Sequence, residues 1–200
     1  MTVIGITGPS GAGKGEVSRI LKEKYGFPIL DADKIYHSLV SAPSDCLNEI
    51  REEFGDGVIQ ENGSLDRKAL SNLVFGEANK EKLNILNKIT HRHVVEKIEK
   101  SLKDLKETAN VCIIDAPLLI EAGLCEKCGL TISVLASKEV RAARISQRDG
   151  IGQDAALKRI NSQKEDCFYI NNTDCPVTND GDLSLLSNRV EDILQKRGIV

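Results

Sequence analysis

An α/β fold with a central parallel sheet and helices on both faces is predicted by three features of the sequence. Apolar runs at residues 111–114 and 130–135 end at Asp115 and at Ala136-Ser137. Such runs, bounded by turn residues, suit strands buried on both faces of a sheet. Segments with apolar residues at three- and four-residue spacing alternate with these runs, the pattern of helices that cross over between parallel strands. A glycine-rich stretch, residues 8–15, stands between a β-rich run and one of those helices.

The elements follow in order. Residues 3–7 read as the first strand. Val17, Ile20 and Leu21 then mark one face of a helix that ends near Gly26. Residues 27–30 predict a second buried strand, stopping at Asp31. Residues 34–105 read as mostly helical, broken at Pro43, at residues 55–57 and at the turn Glu61-Asn62-Gly63. Within that stretch Leu83, Leu86, Ile89, Val94, Ile98, Leu102 and Leu105 set a helical period over residues 80–106. Two strands follow, at 111–114 and 130–135. Ser137 is read as the N-cap of a helix reaching about Arg148. A charged helix over 154–164, a short run at 176–178 and a last helix over 182–195 complete the chain. The helical stretch between the second and third strands is too long for a simple crossover. It is therefore expected to form a substrate-side subdomain over about 34–107, inserted into a core of about 1–33 and 108–200.

Composition excludes several classes. With 27 basic and 30 acidic residues the chain carries a net charge of −3. That argues against a nucleic-acid backbone as the main partner. Three Tyr, four Phe and no Trp show no interleaving with basic residues for stacking on bases. No apolar run approaches the roughly 18 residues of a membrane span, and the amino-terminal run passes directly into glycines, Lys14 and Glu16 rather than into a secretory signal. Six cysteines in that setting read as reduced thiols of a cytoplasmic protein. Cys125-x-x-Cys128 has no second pair at matching spacing, so incidental thiols are expected over metal. A monomer with no membrane partner is expected.

Gly8-Pro9-Ser10-Gly11-Ala12-Gly13-Lys14 matches the first seven positions of G-x-x-x-x-G-K-[ST]. Glycines let backbone N–H groups converge on phosphate oxygens, and the helix that follows adds partial positive charge. Lys14 would bridge the β and γ phosphates. The bare pattern also arises by chance, but a strand before it, a helix after it and the extra Gly11 predict a P-loop. Gly8, Gly11, Ala12, Gly13, Lys14, Gly15 and Glu16 are thus expected to bind ATP. Where the motif has Ser or Thr to hold magnesium, this chain has Gly15.

Asp31-Ala32-Asp33 follows the second strand, on the side where an open parallel sheet binds ligands. One of these carboxylates could accept a proton from a hydroxyl acceptor, or the pair could be a helix cap and a surface charge. Asp115 ends an apolar strand and could hold Mg2+, directly or through water, or could satisfy a turn before Pro117. Arg144 and Arg148 lie four apart on one helix face, with Arg141 three before Arg144. They are expected on a lid of about 138–165 that clamps phosphates, or else on a solvated basic face. His93 is expected on a helix surface.

The chain resembles the dephospho-CoA kinases, P-loop enzymes that complete coenzyme A synthesis. The marks recur in order over about residues 3–185. After the P-loop and Asp31-Ala32-Asp33 come His37, Phe54-Gly55, Asn62-Gly63-Ser64-Leu65-Asp66-Arg67, Val74-Phe75 and His91. Then follow Asp115-Ala116-Pro117-Leu118-Leu119-Ile120-Glu121, Arg144, Gln147-Arg148-Asp149, Arg159-Ile160 with Gln163, and Asn179 with Gly181. The resemblance implies ATP-dependent phosphorylation of the ribose 3′-hydroxyl of dephospho-CoA, with magnesium as cofactor. It implies that Asp33 is the base, with Lys14, Arg144 and Arg148 stabilising the transferred group. It also implies that His37, His91, Pro117, Leu118 and Glu121 line the acceptor side and that Asn179 meets the adenine. Two positions depart from the family pattern: Gly15, and Arg92 where Pro usually follows the histidine. The second is expected to alter only a helix start. The rivals are a nucleoside monophosphate kinase, suggested by Gly-Lys-Gly, and a catalytically weak nucleotide binder, suggested by Gly15.

Overall fold

A computed structural model describes residues 1–41, 43–76 and 79–200. The elements run β1 (Thr2–Thr7), α1 (Lys14–Tyr25), β2 (Ile29–Asp31), α2 (Ala32–Ser41), α3 (Asp45–Phe54), α4 (Arg67–Val74) and α5 (Lys80–Leu105). Then come β3 (Val111–Asp115), β4 (Leu130–Leu135), α6 (Lys138–Asp149), α7 (Gln153–Asn161), α8 (Asp166–Asn172), β5 (Cys175–Thr178) and α9 (Leu183–Lys196). The five strands form one sheet in the order β2-β3-β1-β4-β5. β1 runs parallel to β3 and to β4, and β4 parallel to β5, with Ile4 opposite both Ile113 and Leu130 and Val134 opposite Val177.

The chain divides into two compact units, one of residues Met1–Leu30 with Asp104–Val200 and one of Asp31–Lys103. In the first, strand side chains alternate between two faces. Ile4, Ile6, Ile113, Ile132, Val134 and Val177 share a core with Val17 and Leu21 of α1 and Leu186, Val190 and Leu194 of α9. On the opposite face, Ser133 accepts a hydrogen bond from Thr173 at the end of α8, 2.8 Å away. There a Cβ added to Gly5 would lie 2.7 Å from both Leu119 and Cys128, so the backbone of β1 is approached closely. The second unit has its own core, with Val40, Leu47, Ile50, Val58, Leu65, Leu70, Val74, Leu86 and Ile89 from α2 to α5. Among the described residues no helix is long and apolar enough to cross a membrane.

Four local expectations need correction. The second strand begins at Ile29 rather than Phe27, because Pro28 has no N–H to give the ladder; its carbonyl still accepts from Ile113 N at 2.9 Å. Ser137 occupies the N-cap position of α6 but its side chain makes no cap bond. Instead its N–H donates to Asp180 Oδ1 at 2.6 Å. The helix expected over 154–164 stops at Asn161, and a separate seven-residue helix, α8, follows. Finally, α5 runs unbroken through His91 and Arg92, so Arg92 sits mid-helix and alters no helix start.

Candidate functional site

β1 ends at Thr7, and residues 8–13 arch over to the first turn of α1. Gly8 has φ 135°, and a Cβ there would lie 2.1 Å from the Val134 carbonyl oxygen of the neighbouring strand. Gly13 has φ 96°, and its Cβ would meet the Asn179 amide at 2.2 Å. Both positions therefore exclude any side chain. The loop closes on itself through Ala12 N–H to Pro9 O at 3.3 Å, and Lys14 folds back so that Nζ donates to Gly8 O at 2.8 Å. Glu16 donates its N–H to Gly13 O at 3.0 Å, and its carboxylate pairs with Arg19.

The loop is held from outside by α6 and by the segments around residues 163 and 179. Arg141 is 2% exposed. Its Nε donates to Ser10 O at 3.0 Å and its Nη2 to Gln163 Oε1 at 2.7 Å, while the same Oε1 accepts from Ser10 N–H at 3.1 Å. Burial lowers the Arg141 pKa, and Asp166, 3.7 Å from Nη1, opposes that shift. Arg141 is thus not part of a solvated face: it fastens the loop to α6. Arg144 Nη1 reaches the carbonyls of Gly11, Ala12 and Asn179 at 3.4, 3.3 and 2.9 Å. Asn179, expected at the adenine, is 3% exposed. Its Nδ2 donates to Ala12 O at 2.8 Å, so what it meets in this structure is the loop itself. Arg148 alone of the three arginines is exposed. Its Nη2 lies 3.4 Å from Ser10 Oγ, and its pairing with Asp149 at 2.7 Å raises its own pKa and lowers that of the carboxylate.

Asp115 is the last residue of β3, opposite Ile6 of β1. Its Oδ2 accepts from Ser18 Oγ of α1 at 2.6 Å. Among the described residues no group of three or more His, Cys, Asp or Glu could hold a metal ion by itself. One carboxylate beside a phosphate loop nevertheless fits magnesium, which keeps waters and takes phosphate oxygens alongside one or two carboxylates. Beyond β3, Pro117 O accepts from Thr7 Oγ1 at 3.1 Å, Leu118 is 44% exposed and Glu121 is exposed.

In the second unit the two aspartates separate by role. Asp31 Oδ1 accepts from Lys34 N–H at 3.0 Å and so caps α2, while Asp33 is exposed on the first turn of that helix. His37 Nδ1 is bonded to Arg67 Nη2. His91 is half-buried on α5. His93 is not a plain surface residue, since its side chain is 13% exposed and its Nε2 lies 2.9 Å from Glu49 Oε2, which also pairs with Arg92.

Comparison with known proteins agrees with this architecture. The dephospho-CoA kinase family model matches residues 2–184. The chain belongs to the dephospho-CoA kinase family. Among similar members, the dephospho-CoA kinase of Fusobacterium nucleatum is 40% identical, with 94% of this chain and 95% of that protein covered. That of Carboxydothermus hydrogenoformans is 34% identical, covering 98% and 94%. The solved dephospho-CoA kinase from Campylobacter jejuni superposes with a TM-score of 0.70 at 27% identity, covering 97% and 96%.

Within this member of the dephospho-CoA kinase family, sequence reasoning missed one contributor, Ser18, and missed the bracing role of two residues it names, Arg141 and Gln163. Arg141 and Gln163 brace Ser10, and the clue was a helix face bearing more arginines than phosphates need. Ser18 supports Asp115, and its sequence signal was a hydroxyl inside the apolar stripe of Val17 and Leu21.

Proposed function

We propose that the protein transfers the γ-phosphoryl group of ATP to the ribose 3′-hydroxyl of dephospho-CoA, giving CoA and ADP. The observation that carries this reading is the family match over residues 2–184 in a chain that opens on a braced phosphate loop. In this reading the N–H groups of residues 11–16 bind the ATP phosphates at the positive end of α1. Lys14 leaves the Gly8 carbonyl to meet the β and γ phosphates. Asp33 accepts the proton of the 3′-hydroxyl as it attacks in line. Arg144, anchored through Nη1, presents the rest of its fork to the transferring group, and Arg148 adds a second charge. Asp115 holds the magnesium that accompanies ATP, and that ion when bound supplies charge neutralisation across the phosphates. His37, His91, Pro117, Leu118 and Glu121 are assigned to the acceptor. Asn179 is assigned to the adenine side through its carboxamide oxygen, a buried atom with no hydrogen-bond partner in this structure. The reading includes a monomeric enzyme of the cytoplasm, with ATP and dephospho-CoA as partners and no nucleic acid.

The test is ADP release by purified protein with ATP and magnesium, offered dephospho-CoA, CMP, AMP or no acceptor, with products identified by mass. CoA formed only from dephospho-CoA is expected. Preference for CMP or AMP would make it a nucleoside monophosphate kinase. Nucleotide binding with no turnover on any acceptor would make it a silent binder.

A further inference from the structure

Position 15 poses a chemical question that α1 and β3 answer together. In the P-loop motif the residue after the lysine offers a hydroxyl to the metal that accompanies the nucleotide. Gly15 has none, yet nothing about the backbone demands glycine there: an added Cβ meets no atom within 4 Å. Ser18 lies three residues on, so it shares a helix face with position 15 one turn further in. It is 4% exposed. Its hydroxyl proton is directed to Asp115 Oδ2 at 2.6 Å, with the Lys14 carbonyl a longer 3.3 Å away. A buried hydroxyl that fixes one carboxylate oxygen sets how the carboxylate turns, and groups that orient a metal ligand contribute strongly to metal affinity.

We propose that Ser18 positions Asp115 for the divalent cation that arrives with the nucleotide, so that a hydroxyl one turn into α1 compensates for the one residue 15 lacks. The inference rests on the kinase reading of this loop. Ser18 is a positioning residue and acts only through Asp115. Ala at position 18 removes one buried oxygen without adding bulk, so the fold is retained.

Calorimetry with a non-hydrolysable ATP analogue, in EDTA and then in excess Mn2+, separates loop binding from the metal's contribution. The parent is expected to bind the analogue in EDTA and to bind it more tightly with Mn2+. Ser18→Ala should leave the EDTA affinity within about twofold and lose about tenfold of the gain from Mn2+. Asp115→Asn should lose that gain as well, and adding Ser18→Ala to it should cost nothing further, because the serine works through the aspartate. Gly15→Ser combined with Ser18→Ala should recover the gain to within about threefold. A full Mn2+ gain in Ser18→Ala, losses that multiply in the double variant, or no recovery with Gly15→Ser would each overturn the proposal. A parent that binds no analogue under either condition would overturn the kinase reading and the proposal with it.

Discussion

Replacing Asp33 by Asn keeps the shape of an exposed first-turn residue and removes only its ability to take a proton. Turnover with dephospho-CoA is expected to fall by about 10²–10⁴, with ATP-analogue affinity nearly unchanged. Steady-state kinetics beside calorimetry decides, and equal loss of both would make Asp33 structural. Asp31 is the contrasting neighbour, because its carboxylate already caps α2. Position after a strand did not tell the two aspartates apart, since capping depends on where the helix starts; only the resemblance singled out Asp33. Asn179 shows the same limit from the other side. A motif marks a residue as needed without saying which way it points, and here β5 and the turn after it carry its amide onto Ala12.

The helix α6 lies against the phosphate loop, its inner arginines on loop carbonyls and Arg148 on the outside. Replacing Arg141 by Met leaves the Ser10 carbonyl and the Gln163 oxygen without that donor. It is expected to cost about 2 kcal/mol in denaturant unfolding, and Gln163→Ala about 1 kcal/mol. The double variant should cost less than the sum, because both side chains hold the same residue, and strict additivity would refute the shared brace. Most elements were legible in the sequence because long apolar periods and continuous apolar runs admit few readings. α8 was not. At seven residues, with Tyr169 as its buried member, it shows too little period to be seen. The phosphate loop was legible as a motif, but its bracing was not, since Ser10 and Arg141 meet only after α6 folds back from the end of β4.

Across the whole molecule, acid and thiol chemistry report on how the sheet is held. Hydrogen bonds from Thr131, 2.7 Å from both its N–H and its hydroxyl, hold the Asp174 carboxyl below its ordinary 3.8. Lys24 does the same for Glu191 and Arg148 for Asp149. A carboxylate whose folded pKa is depressed stabilises above its unfolded value and loses that contribution as pH falls through the folded one. Tm should therefore hold steady from pH 7 to 5 and fall below about 4. Asp174→Asn should lower Tm at neutral pH and show a shallower acid slope, and parallel slopes in parent and variant would contradict the assignment. Thiol labelling tests packing. Burial pushes Cys46 and Cys112 up to about 11 and Cys128 up to about 12, whereas Cys167 is exposed. Iodoacetamide at pH 8 should modify Cys167 first and the buried Cys46 and Cys112 only on unfolding, and comparable rates would show that the packing around them opens readily. The clear space at Gly15 then acquires a practical use. With Cys167 changed to Ser, a cysteine at position 15 would be the most accessible thiol of the chain, at the first turn of α1. A fluorophore attached there would turn nucleotide arrival into an optical signal, giving the enzyme a built-in docking port for a reporter.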